Sequence, residues 1–392
     1  MTAGTRPALL RPRGPHPHAR VTFVELFFDL VFVFAVTQVS HALLHDLTPA
    51  GALRTGVLFL AMWWVWIYTS WVTNWLDPDR EPIRTLLFLM MLAGLVLSMA
   101  IPSAFGERGL AFALAYTAMQ VGRTAFMLWA IGPDDPALRR NFLRILVWLG
   151  AASPFWIIGG LVPPDARLGL WAIALAIEYV SPSVYFWVPG LGRSTIGDWQ
   201  VEGAHLSERC ALFIIIALGE SILVTGATFA GMAWTAEAAA AFVTAFVGSI
   251  AMWWVYFNIG AERGTRHITS AGDPGRMARL GYTYLHLPVV AGIVVAAVGD
   301  EMILHHAQGH TDRAAVACIL GGPALYLGGL LLFKRIGLGR LPLSHLVGLA
   351  LLALLLLVAA PVLSPLALAV SANAVLVLVA IWEHLSLRTR QA

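Results

Sequence analysis

Acidic residues interrupt several long apolar stretches of this sequence. Glu25 and Asp29 lie four residues apart, so on a helix they share one face. Glu220 interrupts a later stretch, and Arg209 lies on the same helical face about three turns before it. Ionisable groups inside a membrane-spanning segment commonly mark a substrate, ion or proton pathway. We therefore predict that these residues contribute to such a pathway.

The candidate pathway set contains further polar residues that lie within, or next to, apolar stretches. Well inside these stretches, carboxylates outnumber the one fixed cation, so some acids must be protonated, recruit a partner or contact water. The alternative is a polar network that only orients the helices, and the sequence leaves both hypotheses open. The complete set is Glu25, Asp29, Arg123, Glu178, His205, Glu208, Arg209, Glu220 and His286.

The composition indicates a protein that is solvated mainly by lipid. Of 392 residues, 59% are hydrophobic and 12% are charged, about half the charged share of a soluble domain. A chain of this length cannot hide so much apolar surface inside one globule. The basic residues are spread singly and form no patch, so the composition argues against a nucleic-acid partner. The bilayer is the expected environment.

Apolar stretches long enough to cross a bilayer recur along the whole chain. Helices are expected, because an isolated strand in lipid would leave its backbone groups unpaired. The sequence therefore predicts an all-α polytopic membrane protein with twelve transmembrane helices. The predicted spans are 21–45, 52–74, 84–103, 108–131, 142–162, 168–188, 206–230, 238–260, 279–301, 313–334, 344–362 and 366–386.

The distribution of basic residues predicts the orientation. If the N-terminus is cytoplasmic, the inner segments hold 20 of the 25 lysines and arginines and the outer segments hold four. Basic residues are enriched on the cytoplasmic side of membrane proteins. We therefore predict that both termini are cytoplasmic.

An internal repeat is also predicted. Residues 61–65 (AMWWV) return as residues 251–255, and Glu178 and Glu383 each lie within a late span of their half. Six spans in each half would relate the halves by an axis along the membrane normal. The predicted organisation is a cytoplasmic tail (1–20), a six-helix half (21–190), a linker (191–205), a second half (206–386) and a tail (387–392).

No cofactor or metal motif accompanies these spans. Cys210 and Cys318 are far apart and lack zinc-binding spacing, so we interpret them as buried fillers. His41 and His45 could share a metal, but no HExxH motif occurs and we predict no metal site. Glycine doublets, such as Gly321-Gly322, match no nucleotide-binding fingerprint and favour close helix packing.

Two segments resemble the bacterial low temperature requirement A family. Residues 25–33 (ELFFDLVFV) resemble its opening signature, and residues 205–209 (HLSER), running on to 218–221 (LGES), resemble its second signature. The resemblance covers essentially the whole chain. It implies a multi-pass protein of the bacterial inner membrane whose biochemical activity is undefined. It also implies that Glu25, Asp29, His205, Glu208, Arg209 and Glu220 matter for function.

Three classes of function are compatible with these features. The leading hypothesis is a secondary transporter or permease for an unknown small solute, with proton linkage as a further hypothesis, because acids lie near the middle of the predicted spans. A membrane-embedded enzyme acting on a lipid would need a metal or phosphate site, of which the sequence shows little. A sensor or scaffold would usually carry a soluble domain, and none is evident. The solute and the oligomeric state stay undetermined.

Overall fold

A computed structural model describes residues 9–12, 20–133, 135–195, 201–258, 274–339 and 341–388. These residues form helices, short turns and two isolated β-bridges, and they contain no β-strand. The predicted all-α class is confirmed.

Thirteen α-helices, in chain order, organise the described residues. They are α1 (Phe23–His45), α2 (Pro49–Trp75), α3 (Glu81–Ala100), α4 (Gly109–Ile131), α5 (Pro136–Leu161), α6 (Pro164–Val180), α7 (Gly203–Ala230), α8 (Ala236–Phe257), α9 (Pro274–Ala278), α10 (His286–His305), α11 (Arg313–Leu338), α12 (Leu343–Leu354) and α13 (Pro365–Arg388). A π-helical segment, Arg279–Tyr284, joins α9 to α10, and another, Leu355–Ala359, follows α12.

Polar residues in the connections fix where several helices begin. The side chain of Asp135 accepts a hydrogen bond from the Leu138 N–H at the start of α5, and Asp312 caps α11 through the Ala315 N–H in the same way. Thr235 caps α8. Each cap satisfies an N–H group that has no partner inside its own helix. Short capped turns therefore separate apolar helices, as the sequence indicated.

Nine helices within the described residues are long and apolar enough to cross a membrane. The prediction of twelve spans is not confirmed, although a helix lies at each predicted position. The interior of α4 carries Gln120 and Arg123, which lower its hydropathy. The 17 residues of α6 would extend about 25 Å, against an apolar bilayer core of about 30 Å. The segment Leu343–Ala359 is similarly short.

The sixth predicted span ends earlier than expected, at Val180. The backbone turns there, and Tyr185 and Phe186 adopt φ values of 55° and 48°, a region that bulky residues rarely occupy. The Phe186 N–H donates to the Ser181 carbonyl at 2.8 Å, and Arg144 holds the following turn through the Leu191 carbonyl. Glu178 consequently lies near the C-terminal end of α6, whereas the predicted span 168–188 places it near the centre.

The chain divides into two compact units. Unit 1 contains the described residues up to Ala35, Gly56–Arg209 and a short piece that ends at Arg276. Unit 2 contains Val36–Thr55 and the described residues from Cys210 onwards, apart from that short piece. Consequently α1, α2 and α7 each contribute residues to both units.

In unit 2, glycines permit a close approach of α10 and α11. A Cβ atom on Gly292 would lie 2.5 Å from the Tyr326 backbone nitrogen, and one on Gly322 would lie 2.6 Å from the Ala296 nitrogen. Real Cβ atoms do not come this close to backbone, so small residues are required at this crossing. The interpretation of the Gly321-Gly322 doublet as a packing feature is confirmed at Gly322.

Candidate functional site

The two acids of α1 are both fully buried in unit 1. The side chains of Glu25 and Asp29 are 0% exposed, and their spacing places them on one face of the helix. A buried carboxylate that lacks hydrogen bonds and a counter-charge is strongly unfavourable. The groups around these acids therefore decide what the acids can do.

Asp29 is paired with Arg209 from α7. Arg209 Nη2 donates to Asp29 Oδ1 at 2.8 Å, and both side chains are fully buried. Trp66 Nε1 donates to the same carboxylate oxygen at 2.8 Å, while the Arg209 guanidinium lies 5.7 Å from the centre of the Trp66 ring. Arg209 also reaches the Glu25 backbone carbonyl at 2.9 Å and contacts the Ser70 hydroxyl. This arrangement orients the ion pair from several sides.

Glu25 is paired with His205, whose ring nitrogens have partners on three sides. The Asn74 amide is fixed by the Glu202 backbone, because its oxygen accepts from the N–H and its nitrogen donates to the carbonyl. The Asn74 nitrogen then faces His205 Nδ1 at 3.3 Å, and Arg11 Nη2 faces His205 Nε2 at 3.3 Å. His205 Nε2 lies 2.9 Å from Glu25 Oε1, which can only accept, so the imidazole donates in this contact.

The second oxygen of Glu25 faces Arg11, from the segment that precedes α1. Arg11 Nη2 donates to Glu25 Oε2 at 3.1 Å, and the backbone N–H and hydroxyl of Thr22 donate to that oxygen at 2.9 and 3.0 Å. We call Arg11, Glu25, Asp29, His205 and Arg209 the acid–arginine cluster. The cluster thus contains two carboxylates and two guanidinium groups, each carboxylate with one arginine partner.

Sequence reasoning missed three partners of this cluster that lie on α2. Trp66, Ser70 and Asn74 recur every four residues and therefore share one helical face. Residues 61–65, just before them, were interpreted only as part of a repeat, and Arg11 was interpreted only as a topology signal. A polar i, i+4, i+8 pattern within an apolar helix was the available signal for the α2 residues.

A second polar group in unit 1 connects Arg123 to Glu178 without direct contact. Arg123 donates to the Gln120 side-chain oxygen, and the Gln120 nitrogen donates to Glu178 Oε2 at 3.2 Å. Tyr116 also donates to that oxygen, and Trp156 donates to Glu178 Oε1 at 2.8 Å. Each side chain is at most 2% exposed. The Gln120 amide thus bridges Arg123 and Glu178. Its oxygen faces the guanidinium and its nitrogen faces the carboxylate, so the amide dipole is favourable for both charges.

Glu220 has a different environment, which lies in unit 2. Its side chain is 1% exposed, and neither carboxylate oxygen has a hydrogen bond of good geometry within the described part of the chain. Thr37 of α1 is a polar neighbour of this carboxylate, and Glu301 of α10 adds negative charge. The next residue, Ser221, donates weakly to Asp300 at 3.5 Å. No ion pair with a described residue compensates Glu220.

The remaining candidates fall outside both groups. His286 lies in unit 2, where Nδ1 donates to the Gly281 carbonyl at 2.8 Å and Nε2 lies 2.9 Å from the Tyr256 hydroxyl. Glu208 is exposed in unit 1, and its carboxylate accepts a hydrogen bond from the Val21 backbone N–H at 3.2 Å. The structure thus brings Glu25, Asp29, His205 and Arg209 together and places His286 and Glu208 in separate surroundings.

Sequence reasoning also missed a buried charged group in unit 2. Lys334 of α11 donates to both Glu383 oxygens, at 2.9 and 2.8 Å, and its Nζ lies 3.3 Å from His345 Nε2. These three side chains are at most 5% exposed. Lys334 was counted only as a topology signal, although a lysine within an apolar segment could have suggested a buried partner.

The comparisons with known proteins match nearly the whole chain. The family model described as bacterial low temperature requirement A protein (LtrA) matches residues 20–381. An uncharacterized protein of Rhizobium meliloti (strain 1021) is 42% identical over 371 residues, which cover 94% of this chain and 90% of that protein. No solved structure matches the chain significantly.

The helices and the matches together define the class of protein. Nine described helices are long and apolar enough to span a bilayer, so this is a multi-pass membrane protein. The chain belongs to the bacterial LtrA family, and the resemblance noted in its two signature segments is confirmed. Residues Glu25, Asp29, His205, Arg209 and Glu220 all lie in the matched region, whereas Arg11 lies outside it.

Proposed function

We propose that this protein is a secondary transporter of the bacterial cytoplasmic membrane, with the proton as its coupling ion. The observation that carries the proposal is the environment of Glu220, a buried carboxylate without a cation or a good hydrogen bond. Such a group persists in a span only when it is protonated or when water or a cation reaches it. A carboxylate that gains and loses a proton is the minimal element of a proton-coupled pathway.

The surroundings of Glu220 support this role. Thr37, Ser221 and Asp300 supply further oxygen atoms within unit 2, and Glu301 adds a second negative charge. Hydroxyl and carboxylate oxygens are the groups that proton relays in membrane proteins use. By contrast, the two carboxylates of the acid–arginine cluster already have cationic partners, so the proposal assigns that cluster an orienting role.

The proposal includes a membrane topology that goes beyond the nine candidate spans in the number, grouping and orientation of the spans. We place twelve spans in two parallel six-helix halves, 21–190 and 206–386, with both termini in the cytoplasm. Reporter enzymes fused after Asp135 and near Gly309 test this arrangement. The first fusion should report a cytoplasmic location and the second a periplasmic one. A cytoplasmic location at Gly309 would contradict the arrangement.

The transport proposal is tested in proteoliposomes. We expect some solutes, in a screen by solid-supported-membrane currents, to evoke a transient current in the wild type. The same solutes should acidify or alkalinise vesicles that contain a pH-sensitive dye. Glu220→Gln keeps the size of the side chain but removes its proton exchange, so the proton signal should disappear.

Glu237→Gln is the matched control, because Glu237 is an exposed carboxylate at the start of α8 in the same unit. It should transport like the wild type. If Glu220→Gln folds and retains a normal proton signal with an identified solute, Glu220 is not the coupling residue. If no solute evokes a current in correctly oriented vesicles, the transporter proposal itself fails.

A further inference from the structure

The charge balance of the acid–arginine cluster depends on a residue outside the family match. The matched region, residues 20–381, contributes Glu25, Asp29, Arg209 and His205. That region therefore supplies two carboxylates but only one arginine. Arg209 forms its ion pair with Asp29. The matched part of the site therefore holds one arginine for two carboxylates, and the carboxylate without an arginine from that part is Glu25.

Arg11 supplies the second arginine through a specific set of acceptors. Its Nε donates to the carbonyls of Thr73 and Leu76 at 2.9 and 3.0 Å, and its Nη2 donates to Glu25 Oε2 at 3.1 Å. The Arg11 backbone N–H donates to the Trp75 carbonyl at 2.7 Å. Carbonyls at the C-terminal end of a helix lack partners within the helix, so they are available to an external donor.

The shape of this acceptor set favours a planar cation with several donors. Two carbonyl oxygens face one edge of the Arg11 guanidinium and a carboxylate faces another. A guanidinium matches such an arrangement, because its N–H groups form a rigid fork, whereas an ammonium is a compact point charge. All three acceptors belong to the matched region, and only the donor comes from outside it.

We propose that Glu25 and the Thr73 and Leu76 carbonyls form a binding subsite for guanidinium compounds, which Arg11 fills as an internal ligand. A free guanidinium compound would bind when Arg11 is removed. The inference concerns binding alone and is independent of the proposed transport activity, because it is measured on purified protein without a gradient.

The experiment uses the purified full-length Arg11→Ala variant and the wild type in detergent. Thermal unfolding is followed by tryptophan fluorescence while methylguanidinium chloride is raised to about 10 mM, far below the molar range in which guanidinium denatures proteins. Sodium chloride at equal concentration controls for ionic strength. In Arg11→Ala we expect a saturable rise of about 1–3 °C in the unfolding midpoint. The wild type should show no rise.

Two further variants make the result specific. Adding Glu25→Gln to Arg11→Ala removes the carboxylate and should abolish the rise. Arg80→Ala removes an arginine that pairs with Asp77 at the surface, and methylguanidinium should not raise the unfolding midpoint of this variant. Ethylammonium should act more weakly than methylguanidinium. An equal effect of ethylammonium would overturn the choice of guanidinium, and the absence of a rise in folded Arg11→Ala would overturn the subsite.

A folding defect in Arg11→Ala would also be informative. Purification of that variant in about 10 mM methylguanidinium should then restore monodisperse protein. Arg11→Gln, which keeps a hydrogen-bond donor without the charge, provides a second folded test by the same titration. Failure of the rescue together with an unresponsive, folded Arg11→Gln would overturn the proposal.

Discussion

Asp29 in unit 1 and Glu220 in unit 2 are both fully or almost fully buried acids, but their partners differ. Asp29 accepts hydrogen bonds from Arg209 and Trp66, each at 2.8 Å. Neither oxygen of Glu220 has a good hydrogen bond within the described residues. Burial alone therefore does not separate these two acids. The presence or absence of a compensating partner does.

The contrast is not simply a contrast between units. Glu383 also lies in unit 2, yet both of its oxygens accept hydrogen bonds from Lys334. Glu178 in unit 1 has no direct ion pair, but Tyr116, Trp156 and Gln120 all donate to it. In its lack of good hydrogen-bond donors, Glu220 therefore differs from Glu383 in its own unit as well as from the acids of unit 1.

The largest expected effect is the loss of Arg209. Arg209→Leu would leave the buried Asp29 carboxylate without its cation, so we expect the free energy of unfolding to fall by about 3–5 kcal/mol. Replacing both partners, in Asp29→Leu/Arg209→Leu, removes the stranded charge and should recover much of this loss. Unfolding in detergent, followed by tryptophan fluorescence, measures both variants.

Arg80→Ala is the control for the loss of an ion pair at the surface. Arg80 and Asp77 are 51% and 21% exposed, and such pairs contribute about 0–1 kcal/mol. If Arg209→Leu were no more destabilising than Arg80→Ala, the Asp29–Arg209 pair would not hold the cluster together.

A smaller effect is expected at Glu178. Glu178→Gln retains the size of the side chain but replaces one accepting oxygen with an amide that faces donors. At least one of Tyr116, Trp156 and Gln120 would then lose its acceptor inside the protein. We expect a loss of about 1–3 kcal/mol of unfolding free energy, the cost of an unsatisfied buried group. The same unfolding measurement tests it, and a neutral result would show that Glu178 is already protonated in the folded state.

Much of the architecture was predictable, because apolar periodicity and capped turns are local properties. Each predicted span contains a helix, and the span 206–230 placed Arg209 and Glu220 together on α7. His205 was assigned to the linker 191–205 but lies on α7, and the short helix α9 was not predicted. The sequence could not place the end of α6, because the turn at Tyr185 and Phe186 depends on tertiary contacts such as that of Arg144 with Leu191.

The partners of the acids were harder to predict than the acids themselves. Arg11 lies 14 residues before Glu25 in the chain. It reaches Glu25 because its segment is hydrogen-bonded to the backbone at the C-terminal end of α2. Lys334 and Glu383 are 49 residues apart on different helices. Counting basic residues uses them only to predict the membrane orientation. A single sequence does not show which distant side chain a lysine or arginine contacts. For the same reason, the sequence could not show that Glu220 lacks a cationic partner among the described residues.

The smallest expected effect on stability, and the sharpest test of the comparison, is Glu220→Gln. No described cation loses a partner when this carboxylate becomes an amide, so the loss seen for Arg209→Leu should not occur. We expect the free energy of unfolding to stay within about 1 kcal/mol of the wild type. The control is Glu237→Gln at the surface of the same unit, which should also leave stability unchanged. A loss comparable to that of Arg209→Leu would mean that Glu220 has a structural partner after all, and the difference between Asp29 and Glu220 would then no longer support a proton-coupling role.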